Sequence, residues 1–134
     1  MNGTLKNYQA MDLGALSAFA DTGRTEIGDT LGLTGCEISV NNLPAGTGST
    51  FVHTHKQNEE VYLVLRGSGI FYADGEEFPI REGSAVRVDP AATRAIKAGQ
   101  EELLYICIQA AQNSLKQKTM NDGVILNEVK TSWL

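Results

Sequence analysis

The chain has 134 residues, a net charge of −5 at pH 7 and a hydrophobic content of 42%. A chain of this length is expected to form one domain with its own hydrophobic core. The acidic balance, without any basic run, argues against nucleic acid or an anionic membrane as the partner. No apolar run is long enough for a membrane span and the N-terminus lacks a signal-peptide pattern, so a cytoplasmic protein is expected.

The first 31 residues show no clear hydrophobic period. The segment DLGALSAFA, residues 12–20, fits one helical turn or an irregular strand equally well. We expect residues 1–31 to pack as a segment on the following domain or on a dimer partner.

Residues 32–110 contain short strand patterns separated by turn signals. The expected strands are CEISVNNL from Cys36, FVHTH from Phe51, EVYLVLR from Glu60, the two halves of GIFYADGEEFPI, SAVRV, TRAIKAG and ELLYICIQ. Asp74-Gly75, between the two halves, is a strong hairpin signal. Such closely spaced turns, with almost no helical periodicity, predict an all-β domain built as an antiparallel sandwich or barrel.

Residues 111–134 leave this pattern. KQKTMNDG is expected to be a loop, and VILNEV an added strand or a short helix. We expect this C-terminal tail to pack on the domain that precedes it.

One strand carries apolar residues on both faces. Val61, Leu63 and Leu65 point away from the side of Glu60 and Tyr62, and this opposite face is wholly aliphatic. A strand in a small antiparallel protein normally shows polar residues to solvent, so the face needs a cover. Terminal segments or a second subunit would supply it, and we favour a homodimer.

The two cysteines, Cys36 and Cys107, lie far apart, each in an apolar alternating segment. Two buried, reduced thiols are expected in preference to a disulfide or a reactive thiol.

Both histidines of the chain, His53 and His55, are separated by one residue. On a strand this spacing turns both imidazoles to the same side, and neutral imidazole is the commonest side-chain metal ligand. Glu60 follows after a short turn and would add a carboxylate oxygen. Two nitrogens and one carboxylate can bind a metal ion and leave positions open for water, oxygen or substrate. The alternative is that the histidines only fill a polar barrel mouth.

The spacing His53-x-His55-x4-Glu60-x6-Gly67 resembles the first conserved motif of the cupin superfamily, and the distance to Gly67 selects Glu60 rather than Glu59. The resemblance implies an all-β, antiparallel jelly-roll barrel of the cupin type over residues 32–110, usually dimeric. It also implies a divalent metal ion (Fe, Mn, Ni or Zn) held by His53, His55 and Glu60, and the sequence does not choose among these metals.

The second motif of the family is degraded in this chain. It begins at Gly83, and Arg94 stands where the family has a histidine as its fourth metal ligand. A guanidinium ~4 Å from a divalent ion is repelled by roughly 8 kcal/mol at an effective dielectric near 20. Three arrangements avoid this cost: Arg94 pairs with Glu60 or another carboxylate and leaves the metal site empty, lies further off behind water, or holds an anionic ligand that bridges to the metal.

The third arrangement gives the functional hypothesis. A small anionic molecule would be bound by Arg94 and the metal, with Tyr62 lining the cavity beside it, although aromatic residues in small barrels more often belong to the core. Cupins include dioxygenases, isomerases and decarboxylases, and the fold does not select among them. The alternative is a non-catalytic binding or sensor protein whose altered second motif leaves a degenerate, metal-free site.

Overall fold

Eight strands form two antiparallel sheets in this computed structural model, which describes residues 7–16 and 23–134. The strands are β1 (Arg24–Glu26), β2 (Glu37–Leu43), β3 (Asn58–Arg66), β4 (Ser68–Ala73), β5 (Glu76–Arg81), β6 (Ala85–Val88), β7 (Arg94–Ala98) and β8 (Leu103–Ala111). One sheet has the order β1-β2-β8-β3-β6 and the other has the order β5-β4-β7. Two single-turn helices, α1 (Gly28–Leu31) and α2 (Thr119–Asp122), accompany them. The all-β antiparallel architecture predicted from the sequence is confirmed.

The core lies between the two sheets. The register pairs Tyr62 with Cys107 and Val64 with Tyr105, which turns these side chains of β3 and β8 to the same inner face. Phe71 of β4, which is fully buried, meets them from the other sheet, with its ring 4.9 Å from that of Tyr62. The period-2 alternation of these strands therefore builds the core.

The hairpin between β4 and β5 has the turn that the sequence predicts. Asp74 and Gly75 both have positive φ angles, of 50° and 89°, as a two-residue type I′ turn requires. The Asp74 carboxylate also accepts hydrogen bonds from the backbone N–H and the hydroxyl of Thr93, at 2.8 and 3.1 Å. The turn is thereby fixed to the residue that precedes β7.

The segment FVHTH does not form the continuous strand that its alternation predicts. It makes one isolated antiparallel bridge, between His53 and Arg94, and the residues on either side of His53 do not pair with β7. The alternation itself survives: His53 and His55 are half-buried, whereas Val52 and Thr54 are exposed.

The two chain ends differ from their predictions in part. The predicted element at residues 12–20 lies partly outside the described residues, and residues 12–16 form neither a strand nor a full helical turn. Residues 124–129 form neither the strand nor the helix predicted for them, while α2 falls in the segment that was expected to be a loop. Residues 111–134 are exposed at every position. Within the described residues no helix is long and apolar enough to span a membrane.

The outer face of the five-stranded sheet is aliphatic, as the alternation of β3 predicts. Val61 lies opposite Ile108, and Leu63 opposite Ile106, and all four are half-buried. Leu13, from the N-terminal segment, packs against Val40 and Leu104 at one end of this face.

Gly67 connects β3 to β4 where two backbones approach closely. Its φ angle is +90°, and a Cβ at this position would overlap the carbonyl oxygen of Glu102. Gly83 has nearly the same φ, +87°, but open space around it. A side chain at Gly83 would therefore meet backbone strain alone, whereas a side chain at Gly67 would meet the same strain and a steric overlap.

We expect Gly83→Ala to lower the free energy of unfolding by about 1–2 kcal/mol, the cost of a left-handed alanine. Gly67→Ala should lower it by about 1–3 kcal/mol more, because the neighbouring strand must move. Urea unfolding followed by circular dichroism measures both. Equal losses for the two variants would contradict the close approach at Gly67.

Candidate metal centre

The two histidines lie in the segment that leads into β3 and are fixed by backbone bonds to the segment around β7. The N–H of His53 donates to the carbonyl of Arg94 at 3.3 Å, and the N–H of Arg94 donates to the carbonyl of His53 at 3.1 Å. The N–H of His55 donates to the carbonyl of Pro90 at 2.9 Å. Glu60 lies on the inner face of β3, with 4% of its surface exposed.

These three side chains converge on one point. His53 Nε2 lies 3.8 Å from Glu60 Oε1, and His55 Nε2 lies 3.4 Å from Glu60 Oε2. One ligand atom from each residue lies within 4.8 Å of the other two. Ligands ~2.1 Å from a common ion are separated by about 3.0–3.4 Å at right-angled to tetrahedral geometry. The carboxylate–imidazole distances are therefore within about 0.4 Å of this geometry, and the three donors must draw together from separations of up to 4.8 Å to share one ion.

The Glu60 carboxylate is held in place by neighbouring donors. Tyr62 Oη donates to Oε1 at 2.8 Å, and the Cys107 thiol donates to Oε2 at 3.3 Å. A thiol is a weak donor, so Oε2, which faces His55, keeps most of its capacity to accept a metal ion. Partners of this kind orient a ligand and are part of a metal site as much as the ligand itself.

Burial keeps the two donors protonated. It raises the pKa of the Tyr62 hydroxyl well above its ordinary value, with the negative charge of Glu60 adding to the effect. Burial likewise raises the pKa of the Cys107 thiol to about 12, and the Glu60 carboxylate acts in the same direction. Both groups therefore donate to Glu60 at neutral pH and supply no negative charge themselves.

Burial also lowers the pKa of His53 from its ordinary value of 6.5, against the opposing pull of Glu60. The imidazole of His53 is therefore neutral at pH 7, which is the form that binds a metal ion.

Arg94 is fully buried behind Glu60. Its Nη1 donates to the carbonyls of Ala92 and Pro90, at 2.9 and 3.2 Å, and its Nη2 donates to the carbonyl of Asp89 at 3.2 Å. Its Nε lies 3.3 Å from Glu60 Oε1 but has no hydrogen bond. The guanidinium thus pairs with Glu60 by charge, while its two terminal nitrogens close the Asp89–Ala92 turn.

A cavity of about 560 Å³ opens in front of these residues. His53, His55, Glu60 and Tyr62 line it, and so do the aromatic residues Phe51 and Tyr105. Arg94 is not among the lining residues. The structure therefore brings together the three predicted ligands and Tyr62 around one cavity and leaves Arg94 behind it.

Arg24 reaches the cavity from β1 but is not among the site residues predicted from the sequence. Arg24 donates to the Asn41 side chain at 3.1 Å and pairs with Glu26 at 3.1 Å, and its side chain is 48% exposed. The alternation of Arg24 and Glu26 around Thr25 is a strand signal, but a strand of three residues is too short to be recognised in the sequence. The part played by Cys107 was missed for another reason, since its neighbour Glu60 is 47 residues away in the chain.

The fold and the site together define a small antiparallel β-barrel with two imidazoles and one carboxylate converging inside it. Residues 40–109 match the family model of the cupin domain, and the chain belongs to the cupin family. A crystal structure of a cupin protein from Bacteroides fragilis is 43% identical, with a TM-score of 0.82, over 91% of this chain and 99% of that one.

Further matches, one in sequence and one in structure, come from Thermotoga maritima. An oxalate-binding protein is 30% identical over 67 residues, which is 49% of this chain and 54% of that protein. A crystal structure described as a predicted oxalate decarboxylase is 25% identical, with a TM-score of 0.53, over 55% of this chain and 64% of that one. An uncharacterized protein of Methanocaldococcus jannaschii is 30% identical over 66 residues. The chain matches about half the length of the oxalate-binding protein and about half the length of the Methanocaldococcus jannaschii protein.

The two free cysteines should differ in reactivity. Because the Cys107 pKa is raised to about 12, on the order of one thiol in ten thousand is ionised at pH 8, and the group is also buried. We expect iodoacetamide at pH 8 to label the half-buried Cys36 in the native protein and to leave Cys107 unlabelled, as measured by peptide mass spectrometry. Both should react in 8 M urea, which serves as the control. Equal labelling of the native thiols would contradict the buried contact between Cys107 and Glu60.

Proposed function

We propose that this cupin binds a divalent metal ion through His53, His55 and Glu60 and, through that ion, a small anionic molecule in the cavity. The observation that carries the proposal is the charge balance of the site. The imidazoles are neutral ligands, and the negative charge of Glu60 is offset by Arg94, whose Nε lies 3.3 Å away.

This balance gives the metal-bound site an unusual net charge. With Glu60 and Arg94 cancelling, the full charge of a divalent ion is left for the occupant of the cavity. A neutral fourth ligand in place of Arg94 would leave one positive charge fewer. A small dianion neutralises the remaining charge.

The residues around the site have separate roles in this proposal. Tyr62 and Cys107 hold the Glu60 carboxylate, and Tyr62 presents its ring to the ligand in the cavity. Arg94, which lies behind Glu60 and outside the cavity lining, acts on the anionic ligand by its charge alone. Arg24 stands at the rim of the same cavity and adds positive charge there. The metal, when bound, supplies Lewis acidity to an oxygen of the ligand, and Fe, Mn, Ni and Zn all accept this donor set.

Oxalate represents the proposed class of ligand. It is a dianion small enough for a cavity of about 560 Å³. The Thermotoga maritima relatives, one an oxalate-binding protein and one described as a predicted oxalate decarboxylase, support a small dicarboxylate of this kind.

The small number of acid–base groups in the cavity favours a protein that binds the anion without converting it. Among the described lining residues Glu60 is the one carboxylate, and it is already committed as a ligand. Tyr62 and Cys107 keep their protons, and in this proposal both imidazoles are metal ligands, so none of the described lining residues is left to exchange protons at neutral pH. An enzyme of the dioxygenase, isomerase or decarboxylase type is the alternative, and release of a product from the bound acid would decide for it.

We also propose that the protein is a cytoplasmic homodimer. The two cysteines are free thiols, which accords with a reducing compartment. The half-buried aliphatic row of Val61, Leu63, Ile106 and Ile108 on the outer face of the large sheet supports a second copy as its cover.

The metal ligands can be tested by substitution. We expect His53→Ala to lower the bound metal of the purified protein at least tenfold, measured by inductively coupled plasma mass spectrometry after loading and desalting, because two ligands bind far more weakly than three. Thr54→Ala, an exposed neighbour between the histidines, should leave the metal content unchanged. Equal metal content in both variants would refute the three-ligand site.

Ligand binding can be tested with oxalate and, as a monoanion control, acetate. We expect isothermal titration of the manganese-loaded protein to detect oxalate but not acetate at the same concentrations, and chelator-treated protein to bind neither. Arg24→Ala should weaken oxalate binding about two- to fivefold, the effect of one partly exposed charge, whereas Arg81→Ala, exposed on β5, should not. Equal oxalate binding with and without manganese would overturn the proposed role of the metal.

A further inference from the structure

The segment after β8, residues 112–134, is exposed throughout and rich in large apolar side chains. Eight of them are between 62% and 90% exposed: Leu115, Met120, Val124, Ile125, Leu126, Val129, Trp133 and Leu134. Soluble proteins rarely leave contiguous apolar surface of this extent uncovered, and such surface marks an interaction site.

The barrel of the same chain does not cover this segment. None of its residues belongs to either hydrophobic cluster of the described chain. The hydrogen bonds described for residues 114–134 all join two residues of 111–134, for example Val129 to Leu126 and Gly123 to Thr119. The segment is therefore extended from the barrel and stabilised locally.

The match to a related crystal structure includes part of this segment. The match to the Bacteroides fragilis cupin covers 91% of 134 residues, or about 122, so about 12 residues fall outside it. The segment from Gln112 to Leu134 has 23 residues, so the match includes about half of it or more. At least part of the tail is accordingly shared with that relative.

The outer face of the five-stranded sheet is an apolar surface that the rest of the chain covers only in part. Ile38, Ile108 and Val61 lie side by side across β2, β8 and β3 on the outer face of the five-stranded sheet, and all are half-buried. Leu13 packs at the other end of this face, against Val40 and Leu104. The uncovered end lies next to the point where β8 ends and the tail begins.

We infer that residues 115–134 of each chain form an arm that packs on the outer face of the five-stranded sheet of a second copy. This inference rests on the homodimer proposed above and assigns its interface. In a twofold dimer this contact occurs twice, because the arm of each chain packs on the outer face of the other. Both arms and both faces are then covered.

The area of such an exchange is sufficient for a stable dimer. Burying an aliphatic side chain removes roughly 60–120 Å² of apolar surface from water. The sixteen exposed side chains of two arms then remove about 1,000–1,900 Å² before the faces are counted, against about 1,200–2,000 Å² in stable interfaces.

Charge favours the same contact. The arm has a net charge of +1, from Lys116, Lys118 and Lys130 less Asp122 and Glu128. Because the whole chain has a net charge of −5, the remaining residues together carry −6. Two whole chains repel each other, whereas the weakly positive arm is attracted by the negative body of either copy.

Trp133, the single tryptophan of the chain, reports on the arm directly. It is 80% exposed in the isolated chain. We expect light scattering to give a dimer, with blue-shifted Trp133 emission that acrylamide quenches poorly. On dilution the emission should shift red together with the loss of the dimer, because the arm packs on the partner and not on its own barrel.

The double variant V124D/I125D should raise the dimer dissociation constant at least tenfold and expose Trp133. The matched control Q117D/N127D adds the same charge at polar positions of the arm and should do neither. Unchanged circular dichroism would show that both variants fold.

The outcomes separate the inference from the dimer itself. A dimer in which Trp133 stays fully quenchable would overturn the arm and leave the homodimer standing. A monomer with exposed Trp133 would overturn both, and so would a buried Trp133 in a monomer, since the arm would then fold back on its own chain.

Discussion

The buried contact between Arg94 and Glu60 is the interaction on which the rest of the site depends. Both side chains lie inside the protein, with 0% and 4% of their surfaces exposed. A buried ion costs several kcal/mol unless it is paired and hydrogen-bonded. Here three backbone carbonyls receive the terminal nitrogens of Arg94, and Tyr62 and Cys107 donate to Glu60. The pair is thereby neutral as a unit and rigid.

Because of this pairing, residue 94 contributes a positive charge to the site and not a metal ligand. A histidine there would supply a fourth neutral ligand, whereas Arg94 supplies a positive charge behind the carboxylate. Of the three arrangements considered for Arg94, the structure has the pairing with Glu60, which was expected to leave the metal site empty. The pairing nevertheless leaves Oε2 of Glu60 turned towards His55. A carboxylate has two oxygens, so one can satisfy Arg94 while the other faces the imidazoles.

The scaffold explains how residues from distant parts of the chain meet. Glu60 and Tyr62 come from β3 and Cys107 from β8, and the antiparallel register places them on one face. The histidines are brought in from a segment that is barely a strand, held by backbone bonds to Arg94 and Pro90. The same turn that binds the Arg94 guanidinium thus also positions His55.

Much of this could be predicted from local pattern. The alternation of β2, β3 and β8 follows from strand parity, the Asp74-Gly75 turn from its two residues, and the choice of Glu60 over Glu59 from the motif distance to Gly67. All three are short-range signals. The aliphatic face opposite Glu60 is visible in the same way. What failed, the strand at FVHTH and the element at residues 124–129, depends on whether a neighbouring strand lies in reach, and a single segment does not carry that information.

The sequence by itself determined which side chains could form a site: the only two imidazoles of the chain, one carboxylate in register with them, and an arginine where a ligand would stand. Only the tertiary structure decided where the charge of Arg94 goes, that Cys107 and Tyr62 donate to Glu60, and that Arg24 reaches the cavity. The physical reason is distance along the chain. Strand parity is fixed by adjacent residues, whereas hydrogen bonds and ion pairs between β1, β3, β7 and β8 exist only after the sheets have closed on each other.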